Sequence, residues 1–204
     1  MSGISLQPFK NMGAMAGLFN VSSAGYTQGD AQDDPAVRLQ LCSGVISDSV
    51  TTPLWGGVGV LECISAAGGV SGSTITKPTA SNCNAFSVFN QAYHGITTPS
   101  SPVPQYLAGG SLHYYRIGSG ARIPLPISSA VAGLATGTEP VGSDGFVWDL
   151  ENQCIDVYSS STSGNPKVNI RLINVSTSGN LTVSKDTDGN VVWDDSMPVG
   201  LFLI

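Results

Sequence analysis

From residue 36 onward, short apolar runs alternate with turn-forming residues, a pattern typical of β-strands joined by tight turns. Such closely spaced runs favour an all-β sandwich or jelly roll over alternating strands and helices. A linker rich in Ser, Thr and Pro, Thr97–Pro104, is interpreted as a surface loop. The predicted strands are Val37–Leu41, Gly57–Ile64, Ala85–Tyr93, Leu112–Ile117, Phe146–Leu150, Gln153–Tyr158, Val168–Val175, Leu181–Ser184 and Val191–Trp193.

Two of these strands carry further detail. In Val168–Val175 every second residue is apolar until the alternation slips at Ile173, which predicts a β-bulge there. Asp188 and Gly189 separate two apolar runs, and this dipeptide favours the positive φ angles of a tight hairpin turn. We therefore expect the strands around residues 182–194 to pair as a hairpin.

The chain ends in the apolar run Val199–Ile204, which has no charge to protect it as an exposed sheet edge. The run must form a central strand or contact another subunit. Leu201 and Phe202 are its candidate partner-contact residues.

The first 35 residues differ from the rest, since they are rich in small and polar residues and show no strand pattern. We predict an N-terminal arm over residues 1–35 and a β-sandwich domain over 36–204. A short helix within the arm would be marginal, because Gly13 and Gly17 each cost about 1 kcal/mol relative to Ala. The arm's large apolar side chains either reach a neighbouring subunit or close one end of their own domain; they are Phe9, Met12, Met15 and Phe19.

Charged residues make up only 11% of the chain, and its net charge is −6. The low charge predicts a surface that another protein partly covers. The negative balance and scattered Lys and Arg residues argue against nucleic acid or an anionic membrane as a partner. The N-terminus lacks a signal-peptide pattern, so we expect synthesis in a bacterial cytoplasm. Four well-separated cysteines, without a CxxC motif, are then interpreted as reduced, small buried side chains; they are Cys42, Cys63, Cys83 and Cys154.

Catalysis is not favoured by the residues available for it. Acyl transfer needs a base, and the two histidines, His94 and His113, flank no G-x-S-x-G motif. A carboxylate pair for glycoside hydrolysis would have to come from an acidic group that we interpret as a solvated face: Asp144, Asp149, Glu151 and Asp156.

Metal and cofactor sites are not predicted. The segment Asp186–Asn190 resembles part of a calcium loop but lacks its third donor and its bidentate Glu, so a hairpin turn is favoured. The aromatic side chains could form a sugar-stacking surface, although buried strand positions are the more common role; the set is Trp55, Trp148, Trp193, Tyr93, Tyr106, Tyr114 and Tyr115.

Several segments together resemble the capsid cement (decoration) proteins of short-tailed bacteriophages. The resemblance is strongest over residues 36–127, and its segments are Ala36–Leu41, Thr52–Gly59, Ala85–Ala92, Ser101–Pro104 and Tyr114–Pro124. It implies a jelly-roll-like sandwich, no enzymatic activity and assembly as dimers or trimers. It also implies a place on the outer capsid surface, where such proteins bind the major capsid protein and bridge capsomers.

Two other functions share this fold class. A tail or receptor-binding module would be expected to show long repeats or an exposed aromatic platform. A virion-associated glycan hydrolase would need two carboxyl groups about 5 to 9 Å apart in one cleft.

Overall fold

The computed structural model describes residues 25–32, 35–64, 72–89, 95–134 and 145–204. Within these ranges the chain forms fifteen strands and two four-residue helices, which confirms the all-β prediction. Neither helix is long enough to cross a membrane. The helices are α1 (Pro35–Arg38) and α2 (Ser129–Ala132). The strands are β1 (Cys42–Ile46), β2 (Gly59–Ile64), β3 (Ser73–Thr76), β4 (Ala85–Ser87), β5 (Ile96–Thr98), β6 (Ser101–Gln105), β7 (Ser111–Arg116), β8 (Arg122–Pro126), β9 (Phe146–Asp149), β10 (Cys154–Val157), β11 (Lys167–Val168), β12 (Arg171–Ser176), β13 (Thr182–Lys185), β14 (Val191–Asp194) and β15 (Val199–Leu203).

Five strands close into a barrel in the order β1-β3-β2-β4-β7. Strand β1 runs parallel to β3 and antiparallel to β7, and its pairing with β7 closes the ring. Val60, Ile75 and Leu112 are fully buried in this part of the core. On β4, Phe86 packs edge-on against Trp148 of β9, with the ring centroids 5.6 Å apart, so aromatic packing joins the barrel to the next sheet.

The remaining strands form two three-stranded sheets, β10-β9-β11 and β12-β15-β8, and two hairpins, β13-β14 and β5-β6. One continuous apolar core connects them with the barrel. The jelly-roll description is finer than the all-β class and stays a prediction.

Three detailed expectations are confirmed. The pairing of β12 with β15 shifts register between Leu172 and Asn174, which is the bulge predicted at Ile173. Strands β13 and β14 pair antiparallel around Gly189, whose φ is +83°. The C-terminal run forms β15, a central strand between β12 and β8, so the chain itself provides the burial that this run requires.

Two local predictions are wrong, and the predicted strand Val168–Val175 is divided between β11, which ends at Val168, and β12, which begins at Arg171. Val37–Leu41 is not a strand: α1 begins at Pro35, whose fixed φ suits the first helical position, and a turn follows it. Thr97–Pro104 is not an irregular loop, because it contributes to the hairpin of β5 and β6. The two prolines of β6 obscure the strand pattern, and a two-stranded hairpin tolerates them because each strand has an open edge.

Residues 25–32, within the predicted arm, pack along the β-body. The N–H groups of Gly29 and Gln32 donate to the carbonyls of Pro124 and Arg122 on the outer edge of β8. A short bridge joins Thr27 to Leu181. These residues cover a strand edge that would otherwise be open.

Candidate interaction surface

A buried carboxylate with four hydrogen bonds lies at one end of the barrel. Glu62 of β2 accepts from the hydroxyls of Ser73 and Tyr114 at 2.5 and 2.6 Å. Arg116 at the end of β7 donates to both carboxylate oxygens, from Nε at 2.5 Å and Nη2 at 2.7 Å. The strand registers and side-chain alternation place all four side chains on the same face of the barrel sheet. The result is a bidentate ion pair supported by two hydroxyls.

The hydrogen bonds to Arg116 hold the pKa of Glu62 at about 2, even though burial acts to raise it. Burial and the neighbouring Glu62 carboxylate raise the pKa of Tyr114 to about 12. The same pairing raises the pKa of Arg116. Glu62 and Arg116 therefore stay charged, and Tyr114 stays protonated, across the physiological pH range.

Arg116 is the accessible member of this cluster, since 52% of its side chain is exposed whereas that of Glu62 is buried. Its guanidinium has five N–H donors, and two bind Glu62. The remaining N–H groups belong to a side chain that the ion pair already orients. An acceptor on a partner would then bind with little further loss of side-chain entropy.

Of the residues that the structure describes, the two most exposed large apolar side chains lie at this same end. Ile64, the last residue of β2, is 77% exposed. It pairs with Ser73, whose hydroxyl donates a hydrogen bond to Glu62. Leu39 is 88% exposed and precedes β1, whose first residue, Cys42, pairs with Tyr114. An ordered arginine beside exposed apolar residues is typical of protein interfaces. Leu39, Ile64 and Arg116 are named here the Arg116 surface.

Replacing Glu62 tests the ion pair. We expect Glu62→Gln to lower the free energy of unfolding at neutral pH by about 2 kcal/mol, because Arg116 and the two hydroxyls lose a charged acceptor. In the wild type this stabilisation is complete above pH 4.5, the ordinary pKa of Glu62, and is lost as pH falls towards about 2. Urea unfolding at pH 7 and pH 2.5 measures both effects: the variant should differ much less from the wild type at the lower pH.

Glu151→Gln is the matched control, because Glu151 is exposed. It should change the free energy of unfolding by less than about 0.5 kcal/mol. A Glu62→Gln variant as stable as this control at pH 7 would contradict the structural role of the ion pair.

The predicted partner-contact residues divide into two groups. Phe9, Met12, Met15 and Phe19 lie outside the described residues. Leu201 and Phe202 lie in the central strand β15, where Leu201 is 7% exposed and Phe202 is fully buried. Both side chains are thus part of the core of their own chain, and the exposed surface is provided by other residues.

Of the described candidate catalytic residues, His113 is buried, Asp149 and Asp156 accept hydrogen bonds within the fold, and Glu151 is exposed. His113 is buried in β7, and burial lowers its pKa. Asp149 accepts hydrogen bonds from the backbone of Glu151 and Asn152 in the turn between β9 and β10. Asp156 accepts from Ser128, the N-cap of α2. His94 and Asp144 lie outside the described residues.

The segment Asp186–Asn190 is a hairpin turn. Oδ1 of Asp186 accepts from the N–H groups of Asp188 and Asn190 at 2.9 and 2.8 Å, and Oδ2 accepts from the amide of Asn190. These hydrogen bonds lower the pKa of Asp186. In the described ranges, no three His, Cys, Asp or Glu side chains converge in a way that could hold a metal ion.

The aromatic residues that are described lie mostly in the core. Trp148, Tyr114 and Tyr115 are almost fully buried, Trp55 and Tyr106 are buried, and Trp193 packs against Phe89. Tyr93 lies outside the described residues. All four cysteines are free; Cys83 and Cys154 are buried as expected, whereas Cys42 is half-buried and Cys63 is exposed.

The Arg116 surface was not predicted from the sequence. The available signal was Glu62, a lone carboxylate within the otherwise apolar run of β2. A charge inside such a run needs a partner, but nothing in the sequence identifies Arg116 as that partner.

Comparison of the chain with protein-family models, with curated proteins and with solved structures finds no match.

Proposed function

We propose that this chain is a non-catalytic virion structural protein, a capsid cement protein that binds the outer surface of a tailed-phage capsid. It would bind the major capsid protein, bridge neighbouring capsomers and stabilise the DNA-filled head. It would do so as a dimer or trimer, by binding alone and without a cofactor. The resemblance of residues 36–127 to cement proteins suggests this function.

The single structural observation that carries the proposal is the Arg116 surface. Leu39 and Ile64 expose most of their side chains on a chain with few charges, and an oriented arginine lies at the same end of the barrel. Covering apolar groups of this size contributes about 1.5 to 3 kcal/mol for each side chain. Repetition of modest contacts around a symmetric capsid would then give strong overall attachment through avidity.

The experiment is co-sedimentation of the purified protein with capsids that lack it, followed by heating of both capsid samples. We expect saturable binding that raises the temperature at which DNA is released. Ile64→Asp should weaken binding by more than about tenfold, since it places a charge in the contact. Leu107→Asp is the matched control, because Leu107 is 45% exposed in the turn before β7, at the opposite end of that strand from Arg116.

Each outcome has a distinct meaning. Absence of saturable binding would overturn the cement function and favour a tail or receptor-binding module. If the Ile64 and Leu107 variants bind capsids equally well, the cement function stands, but the Arg116 surface is not part of the contact.

The predicted arm is tested separately by deletion. Removing residues 2–19 should abolish capsid binding while leaving the β-body folded, because the deleted part includes Phe9, Met12, Met15 and Phe19. Circular dichroism and urea unfolding check the fold, and co-sedimentation checks binding. Unchanged capsid binding by a folded deletion variant would show that these residues are not required.

A further inference from the structure

A cleft of about 530 Å³ lies between the segment 52–58, the β9-β10 turn and strand β13. Its lining includes the apolar side chains of Leu54, Trp55 and Val183, together with the charged side chains of Lys77 and Lys185. Its volume is within the range of ligand-binding sites. The cleft lies outside the Arg116 surface, and no step of the proposed function uses it.

On the side of β13 that faces away from β14, the chain just before the strand pairs with residues 26–28. Tyr26 accepts from the N–H of Leu181, and Gln28 donates to its carbonyl, as in a parallel strand pair. The main chain then turns away, and the side chain of Gln28 provides the next contact: its Oε1 accepts from the N–H of Val183 at 3.0 Å.

Gln28 also contacts the segment 52–58. Its Nε2 donates to the carbonyls of Gly56 and Gly57 at 3.2 and 3.1 Å. The buried side-chain amide of Gln28 thus bridges β13 and the segment 52–58. Its oxygen accepts a hydrogen bond from β13, and its nitrogen donates hydrogen bonds to the other segment. A backbone amide of an inserted polypeptide offers the same two functions.

Beyond Gln28, no described residue pairs with this edge of β13. In an antiparallel pair, alternate residues direct their N–H and C=O groups away from the partner strand. The N–H of Val183 points away from β14, because it binds Gln28. Lys185, two residues later, therefore also points its N–H outwards, and no described residue accepts from that group.

The charges around the cleft favour an acidic occupant. Lys77 and Lys185 both line it, against one acidic residue, Glu151, on a chain whose net charge is −6. A local excess of positive charge on a negative protein attracts carboxylates to that place.

We propose that the cleft binds an extended segment of a partner protein, in which apolar residues alternate with acidic ones. The segment adds to the edge of β13 just beyond Val183, the last residue that Gln28 contacts. There it pairs with the backbone of Lys185. An apolar side chain lies over Leu54 and Trp55, and acidic side chains approach Lys77 and Lys185. This is β-strand addition, in which the main chain provides affinity and the side chains provide specificity.

The test is an NMR titration of the full chain with three synthetic peptides at millimolar concentration. The first is acetyl-Val-Glu-Val-Glu-Val-amide, the second has Lys in place of Glu, and the third is the acidic peptide with N-methylated backbone amides. We expect the acidic peptide to shift the amide signal of Lys185 and the indole signal of Trp55. The basic and N-methylated peptides should bind at least about tenfold more weakly.

Lys185→Glu should weaken binding of the acidic peptide by at least about tenfold. Lys167→Glu, the same charge change on a residue that packs over Tyr158 outside the cleft, should leave binding unchanged. The inference is overturned if the acidic peptide leaves both signals in place, if the N-methylated peptide binds equally well, or if the two variants behave alike. Because no capsid is present, these outcomes are independent of the cement function.

Discussion

Gln28→Ala is expected to lower the free energy of unfolding by about 3 kcal/mol. The side chain is 1% exposed, and its loss would leave the N–H of Val183 and the carbonyls of Gly56 and Gly57 without their hydrogen-bond partner. Each buried polar group left unpaired costs about 1 to 3 kcal/mol, and partial hydration reduces the sum. Urea unfolding at pH 7 measures the change.

Gln28→Glu separates hydrogen bonding from packing, because Glu has nearly the same shape. One carboxylate oxygen can still accept from Val183, but the other would face the carbonyls of Gly56 and Gly57 and could not donate. We expect a loss of stability at least as large as for Ala at pH 7. The loss should shrink as pH falls, because the buried carboxyl has a raised pKa and the native state takes up the proton first. Wild-type stability in either variant would contradict the bridging role.

Phe202→Ala is expected to cost about 3 to 5 kcal/mol. Phe202 is fully buried in β15 and packs edge-on against Phe146, with the ring centroids 5.5 Å apart. Truncation removes this contact and leaves a cavity between β15 and the adjoining sheet. Calorimetry should show a lower melting temperature, and urea unfolding should show a lower midpoint.

Two further variants define the effect of Phe202. Phe202→Leu retains most of the volume and should cost less than half as much as the Ala variant. Leu107→Ala changes a surface apolar residue that is 45% exposed and should have an effect below about 0.5 kcal/mol. A small effect of Phe202→Ala on folding, together with loss of partner binding, would instead assign Phe202 to an interface.

The sequence predicted those features of the fold that depend on neighbouring residues. The alternation of Val168–Val175 identified strand β12 and its bulge, and Asp188 with Gly189 identified the hairpin of β13 and β14. The chain's all-β class follows from the same kind of pattern. Each of these signals is contained within a few consecutive residues.

Features that depend on distant residues could not be predicted in this way. Strand β3 is short and mostly polar, and β1 is short with Ser and Gly inside it; both become strands because each has hydrogen-bonded neighbours on both sides in the barrel. The ion pair of Glu62 with Arg116 and the bridge made by Gln28 join distant segments, and no local sequence pattern indicates that these segments meet. Register and ring closure decide these contacts, and both are properties of the assembled sheet.

The closed barrel also constrains the order of events during folding. The backbone hydrogen bonds along the two edges of β1 can form only with β3 and β7, which both lie tens of residues later in the chain. Because loop-closure entropy is lost before such distant contacts form, topologies of this kind fold in milliseconds to seconds, far more slowly than helical bundles. The newly made chain therefore exposes unpaired strand edges for a relatively long time, and its low charge gives it little electrostatic protection from aggregation in that interval.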